Sequence, residues 1–421
     1  MSSRIPRTVW ALGWVSFCSD VASEMIYPLL PLFLTRTLGA PMKAVGLIEG
    51  VAEATSSGFR LLAGWLSDRM GRRKPFVVAG YACAAVAKPL LALAGTWGHV
   101  LGIRFLDRFG KGLRTPPRDA LLADAAPGPI RGRAFGLHGS MDTAGAVVGP
   151  LLAWVLLPAF GGDFRALFLL SFVPALIGIV VLLVGVREIP VRPEAPLTLP
   201  YSMPLTSSPL PLTLPSPPRG GEDEGEGIMS GEGMKVRGAP PGELGGRFWR
   251  FVPILVCFGI GNSSDAFLIL RSRHLGIGEG SIPLLYLTFN VVYAAVSFPV
   301  GVLSDAFGRR RVIPLGYAVF ALVYLGFARG DRAWEAWPLF ALYGIYYALT
   351  ERIQRAFVAD LVPAADRGRA FGIYHAVVGA LALPASLLAG WLWDAAGPAA
   401  PFWLGGASAA LALLLFLLLR P

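Results

Sequence analysis

The feature that most limits how this chain can fold is a recurring apolar run about as long as a bilayer is thick. A crossing helix needs roughly 20 mostly apolar residues at about 1.5 Å of rise each. Twelve runs qualify, at approximately 10–34, 45–66, 75–95, 99–124, 135–157, 165–186, 250–271, 282–303, 312–328, 337–360, 370–392 and 400–419. Backbone amides in lipid must bond within their own segment, so runs of this length read as helices. The composition agrees. Hydrophobic residues make up 54% of the chain and charged residues only 15%, against about 25% charged in an ordinary soluble domain. A soluble multidomain protein is excluded, as is disorder through the bulk of the chain. The first run contains Asp20 and Glu24 and lacks a small-residue cleavage site, so it is predicted to be retained. Cys18, Cys83 and Cys257 all lie in apolar runs and suggest neither a disulfide nor a metal cluster.

Basic residues in short loops set the expected orientation. With twelve crossings both ends share one side. That side holds 21 of the 37 Lys and Arg residues, the opposite side seven, and the rest lie within spans. The first side is predicted to be cytoplasmic. The net charge of +10 is then mainly a topology signal, and no nucleic-acid partner is expected.

Residues 187–249 interrupt the pattern. Twelve of the 35 prolines fall between Pro190 and Pro241, and Glu222, Asp223, Glu224 and Glu226 lie among glycines. With no apolar period, this stretch is predicted to be a disordered cytoplasmic linker. The flanking parts repeat each other. Gly64–Lys74 (GWLSDRMGRRK) matches Gly301–Arg311 (GVLSDAFGRRR), and Arg131–Gly136 (RGRAFG) recurs as Arg367–Gly372, at offsets of 237 and 236. The expected fold is an all-α membrane protein of twelve transmembrane helices. They form two parallel six-helix repeats, 1–186 and 250–421, around a central cavity.

The repeated loop has a physical logic of its own. Gly64 and Gly301 allow neighbouring helices to approach closely. Asp68 and Asp305 sit just past a span, able to accept bonds from arginines or from a helix N-terminus. Gly71 and Gly308 permit a tight turn, and the arginines anchor the loop at anionic headgroups.

With these residues in view, the chain resembles the major facilitator superfamily over essentially everything except the linker. The loop fits the family pattern at Gly64, Leu66, Asp68, Arg69, Gly71, Arg72 and Arg73. Its second copy fits at Gly301, Leu303, Asp305, Gly308, Arg309 and Arg310, with Ala306 at the usual basic position. Arg108 and Gly112 resemble a second family motif. Gly145, Gly149 and Pro150 resemble the first half of an antiporter motif, with Leu152 and Ala153 where glycines are expected. The resemblance implies a drug/proton-antiporter-like branch, gating roles for the two loops, and a cavity lined by helices 1, 4, 7 and 10.

Ionisable residues inside a membrane are costly unless paired or wet, so each is a functional candidate. The first span carries Asp20 and Glu24, four apart on one face. The second carries Glu49, Glu53 and Arg60. The fourth carries Arg104, Asp107, Arg108, Lys111, Arg114, Arg118 and Asp119, with Pro116-Pro117 predicted to bend or break it. The seventh has Asp265, and the tenth Glu351, Arg352, Gln354 and Arg355. Helical rise puts Glu24, Glu53 and Arg108 at similar depth and Asp20 nearer Lys111 and Arg114. Lys88 reads as a packing residue, and His138 with Asp142 as a packed i, i+4 pair. The cavity set is therefore Asp20, Glu24, Glu53, Arg108, Lys111, Arg114, Asp265, Glu351 and Arg352.

No phosphate-binding loop, metal-ligand cluster or nucleophile–base pair is present in the sequence, so neither an enzyme nor a cofactor is expected. The expected function is secondary active transport of a small polar or amphipathic solute by alternating access. Proton-coupled export from the inner or plasma membrane leads, with protons and membrane lipid as partners and a monomeric state. The alternatives are an importer or facilitator of an organic anion, favoured by the basic fourth span, and a transport-inactive membrane sensor.

Overall fold

A computed structural model describes residues 5–126, 130–188, 244–363 and 366–421, and these are helical throughout apart from short turns. The helices are α1 (Arg7–Thr37), α2 (Met42–Met70), α3 (Lys74–Ala92), α4 (Trp97–Ala125), α5 (Arg131–Ala159) and α6 (Phe164–Gly185), then α7 (Gly246–His274), α8 (Ile282–Phe307), α9 (Arg309–Arg329), α10 (Ala336–Leu361), α11 (Arg367–Ala396) and α12 (Ala400–Leu419). Among the described residues nine are long and apolar enough to cross a membrane. The other three, α2, α4 and α10, are as long but carry more charge. Each apolar run read from the sequence coincides with one of these helices.

Local signals explain the boundaries. Thr96 caps α4 by accepting from the His99 amide, and Asp163 caps α6 by accepting from the Arg165 amide at 2.8 Å. Gly71 ends α2 at φ +64°, a conformation that only glycine adopts cheaply. α7 is interrupted between Gly261 and Ala266, which exposes backbone next to Asp265. α4, expected to bend or break at Pro116-Pro117, is not broken there and runs as one helix from Trp97 to Ala125. Membrane helices tolerate proline because side chains re-satisfy freed carbonyls. The prolines free the carbonyls of Gly112 and Leu113, while just before them the Thr115 hydroxyl adds a bond to the Lys111 carbonyl at 2.7 Å.

Two helix pairs join the halves of the chain, α2 with α11 and α5 with α8. The α2–α11 contact is close because glycines line it. A side chain at Gly50 would lie 2.8 Å from the Leu383 backbone, and one at Gly390 2.5 Å from the Met42 carbonyl. The expectation of close approach at Gly64 and Gly301 is not met. Gly301 faces open space and Gly64 only an ordinary contact with Pro116.

The halves are filled unequally. Of the twelve largest fully buried side chains, ten lie beyond residue 246, from Phe248 to Phe402, and only Phe33 and Phe168 precede it. The linker boundary also moves. α7 begins at Gly246 with Phe248 fully buried, and Glu188 is anchored, accepting from the Arg73 and Lys74 amides at 2.8 and 2.9 Å. Residues 189–243 lie outside the described residues.

Candidate functional site

The halves are held together at one end and part at the other. At the joined end, Glu279 beside α8 pairs with Arg36 of α1 and with Arg273 of α7. Asp394, near the end of α11, accepts from the Met42 and Lys43 amides that open α2, at 3.2 and 3.0 Å. A carboxylate at a helix start is stabilised by both the free amides and the helix dipole. At the opposite end the loop ion pairs stay within one half. Arg73 reaches Asp68 and Asp124, and Arg309 reaches Asp305 and Asp360. The Asp68 and Asp305 side chains are 68% and 71% exposed. The end that carries the repeated loops is therefore the candidate opening of a cleft between the halves.

Because Asp394 acts only where that end is joined, Asp394→Asn should loosen it. A helix-start charge is worth about 0.3–1 kcal/mol, so the ratio of closed to open molecules at that end should fall about two- to fivefold. Spin-label distances between positions 38 and 277 should broaden towards longer values. An unchanged distribution would remove Asp394 from the closure.

Along the cleft wall, α1, α2 and α4 bring together the acids and bases read from the sequence. Glu53 is exposed, and Arg60, Arg104, Arg108 and Lys111 all lie within electrostatic reach of it. Glu24 lies near Lys111, Arg108 and Asp142, with Tyr286 beside it, and its Oε2 is buried without a hydrogen-bond partner. Lys111 sits amid Asp20, Glu24, Glu53, Arg60 and Arg108. Arg108 contacts Asp107 at 3.9 Å and leaves its Nε unbonded. Deeper in, Arg104 and Glu49 form a buried pair at 3.0 Å, and the Ser264 hydroxyl of α7 donates to Glu49 at 3.4 Å. That contact ties the two halves at the interrupted part of α7.

Asp265 is held by tyrosines. The Tyr343 hydroxyl donates to it at 2.7 Å and that of Tyr347 at 3.3 Å. Both rings pack on Phe289, which also touches Tyr286, and Tyr286 meets Tyr27 of the first half at 5.4 Å. Sequence reading missed this aromatic wall. Its only sequence signal was the tyrosine pair four apart on α10, which looks like ordinary packing.

The Gly145 and Gly149 positions of α5 lie against the carboxylate-bearing turns of α1. A side chain at Gly145 would lie 3.0 Å from the Asp20 Cβ, and one at Gly149 2.7 Å from the Glu24 Cβ. Pro150 is buried beside them. Asp142, read as a partner of His138, instead accepts from Ser16 at 2.6 Å and faces the Asp20 carboxyl at hydrogen-bonding range. His138 stays buried with its Nε2 unbonded. Arg114 is a second correction. It does not line the cleft but is buried against α3, its guanidinium 4.2 Å over the Tyr81 ring. There it packs as a cation on an aromatic face. Lys88 is a packing residue as read, donating to the Ala84 carbonyl at 3.1 Å. Glu351 lies exposed on α10, bonded by Tyr293 at 2.6 Å and Arg355 at 3.0 Å, and Arg352 is exposed next to it. Among the described residues no group of His, Cys, Asp and Glu is placed to hold a metal ion.

Comparison with known proteins fits this architecture. A sequence profile described as the Major Facilitator Superfamily matches residues 12–270 and 251–421. An uncharacterised MFS-type transporter of Methanocaldococcus jannaschii is 34% identical over 397 residues, spanning 92% of this chain and 89% of that protein. The multidrug resistance protein MdtH of Aeromonas hydrophila is 32% identical over 148 residues, 35% of this chain and 37% of MdtH. Among solved structures, a point mutant of the nucleoside transporter NupG superposes with a TM-score of 0.74 at 12% identity, covering 98% of this chain and 100% of NupG's.

Proposed function

This chain belongs to the Major Facilitator Superfamily, and on that premise we propose that it is a secondary active transporter exporting a small amphipathic solute in exchange for protons. Twelve membrane-crossing helices in two parallel six-helix repeats would rock about the central cleft, exposing it to each side in turn. The observation that carries this reading is the gathering of acids and bases on α1, α2, α4 and α7, beside an end where contacts such as Asp394 to the Met42 and Lys43 amides join the two halves. The local likeness to MdtH supports efflux and a drug/proton-antiporter-like branch.

Protons have defined places to sit. Asp20 and Asp142 face each other, and two carboxylates at that range cannot both stay charged without cost, so the pair suits one shared proton. Glu24 lies beside the cations of α4. The aromatic wall around Asp265 suits the apolar part of a solute. A second reading, transport of an organic anion, is favoured by one observation. Lys111 has no ion-pair partner within 4 Å among the described residues, and Arg60 leaves its buried Nε unbonded.

Two experiments test this. A thermal-shift screen of the purified chain against cationic, anionic and neutral amphiphiles identifies the solute, since a ligand of the folded state raises the melting point by mass action. In proteoliposomes that solute should accumulate only under an imposed pH gradient. Accumulation indifferent to pH would overturn proton coupling, and preferential binding of anions would favour the second reading.

Orientation gives a separate prediction. We propose that both termini and residues 187–249 face the cytoplasm across the inner or plasma membrane, a reading supported by the excess of basic residues in the short loops on that side. Single cysteines at positions 200 and 230, in a cysteine-free background, should resist an impermeant thiol reagent in intact cells and react after lysis. Labelling from outside would reverse the topology.

A further inference from the structure

The two copies of the repeated loop are finished differently. In the first half, Glu188 closes the start of α3 by accepting from the Arg73 and Lys74 amides, and Lys74 Nζ donates to the Leu183 carbonyl at 3.0 Å. The chain's own acid thus occupies the space between the end of α6 and the start of α3. In the second half the corresponding space lies between the end of α12 and the start of α9, and there the structure has a cavity of about 920 Å³. Arg310, Arg311 and Arg420 line it, over a floor of Pro314, Phe416 and Leu417.

No described acid neutralises these three arginines. Asp305 borders the cavity, but Arg309 engages it at 3.3 Å and also reaches Asp360 at 2.5 Å. Arg310, Arg311 and Arg420 form no ion pair among the described residues, and all three are exposed. Phe307 and Leu417, 59% and 56% exposed, continue the apolar floor outwards. The cavity therefore offers a triad of cations at one level and apolar surface beside it. Its size lies within the range of about 300–1,000 Å³ seen for small-molecule sites.

We propose that this cavity binds the headgroup of an anionic phospholipid, its phosphate taking the place that the Glu188 carboxylate fills in the first half. The arginines present several donors each to a phosphate, which they match in planar geometry. The glycerol and upper acyl carbons lie on Pro314, Phe416 and Leu417, with Phe307 towards the bilayer. The inference requires that the chain spans a membrane and does not depend on the solute or on proton coupling.

The test uses the full-length chain in a neutral detergent. It is titrated with short-chain phosphatidylglycerol, phosphatidylcholine of the same chain length, glycerol phosphate and inorganic phosphate. Bound lipid is counted by native mass spectrometry and the melting point followed by tryptophan fluorescence. Phosphatidylglycerol should bind more tightly than phosphatidylcholine. Each arginine near an anionic headgroup is worth about fivefold in affinity, so Arg310→Gln with Arg311→Gln should weaken binding about 25-fold. Arg420→Glu, which supplies an internal acid as the first half does, should weaken it at least as much. Arg72→Gln with Lys74→Gln, in the copy already closed by Glu188, should change it less than twofold. Should the arginine pair prove poorly folded without lipid, Arg420→Glu carries the test alone. Equal binding of the two lipids, or equal losses in both loop variants, overturns the site. Inorganic phosphate displacing phosphatidylglycerol at matching concentration overturns the lipid assignment in favour of a soluble phosphate. Transport is not read in this experiment, so its failure is distinct from failure of the transport reading.

Discussion

Glu24→Gln should abolish proton-driven accumulation while leaving downhill counterflow of the same solute intact. The substitution keeps shape and hydrogen-bonding length but fixes the side chain in a neutral form, which imitates the protonated acid. Glu24 is the strongest position for this test because its Oε2 is buried without a partner while Lys111 and Arg108 lie close. Desolvation favours the neutral acid and the cations favour the charged one. Moving the α4 stripe between cleft states would tip that balance and load or release a proton. For one-for-one exchange a gradient of one pH unit sustains about a tenfold solute ratio. The variant should therefore equilibrate its solute rather than concentrate it. If accumulation in the variant still follows pH, the proton site lies elsewhere, and Asp20, Glu53 and Asp265 become the next positions to exchange.

Asp68→Asn should slow transport strongly without impairing insertion, and Asp305→Asn should do so less. In this structure Asp68 is largely exposed and only loosely paired with Arg73, at 3.6 Å. Its counterpart at the joined end shows what such an acid does when engaged. Asp394 on α11 caps the start of α2. Since α2 and α11 pack from Met42 against Gly390 as far as Ser57 against Gly379, the end of α2 that carries Asp68 would approach the start of α11 when the cleft closes there. Such a contact contributes up to about 2 kcal/mol when closure partly buries it, so its loss should cost up to about thirtyfold in turnover. Both acids share an arginine with a second aspartate, but Ala306 stands where the first copy has Arg69, so less is lost with the Asp305 charge. Equal and negligible effects in both variants would reduce the loop to a topology signal.

Much of this was legible in the sequence, because lipid imposes simple rules. Apolar length gave every helix, including α2, α4 and α10, whose charges take them outside a strict hydropathy criterion. The charge stripe on α4 and its neighbours Glu24 and Glu53 followed from helical periodicity. What stayed hidden depended on which way each helix faces. Arg114 shares the α4 sequence with Arg108 but turns towards Tyr81. Asp142 lies four residues from His138 yet bonds Ser16 across to α1. The tyrosines that bond Asp265 sit together on α10, far in sequence from α7, so nothing near Asp265 points to them. Gly46, Gly50 and Gly390 carry the close packing in this state, whereas Gly64 and Gly301 do not. A motif does not say in which conformation its contacts form.

The unequal filling of the two halves gives them different mechanical compliance. Beyond residue 246 the helices are wedged by large rings, with Phe320 stacked on Tyr324 at 4.0 Å and Phe258 on Tyr317 at 4.7 Å. Such interlocked shapes resist sliding, because a displaced ring leaves a void that its neighbours cannot fill. The first half is joined through glycine and alanine contacts, such as α5 on α1 at Gly145 and Gly149, which are smooth and part at lower cost. The second half therefore acts as the anvil of the machine and the first as its spring. Most of the bending in a transport cycle should be taken up in α1, α2 and α5.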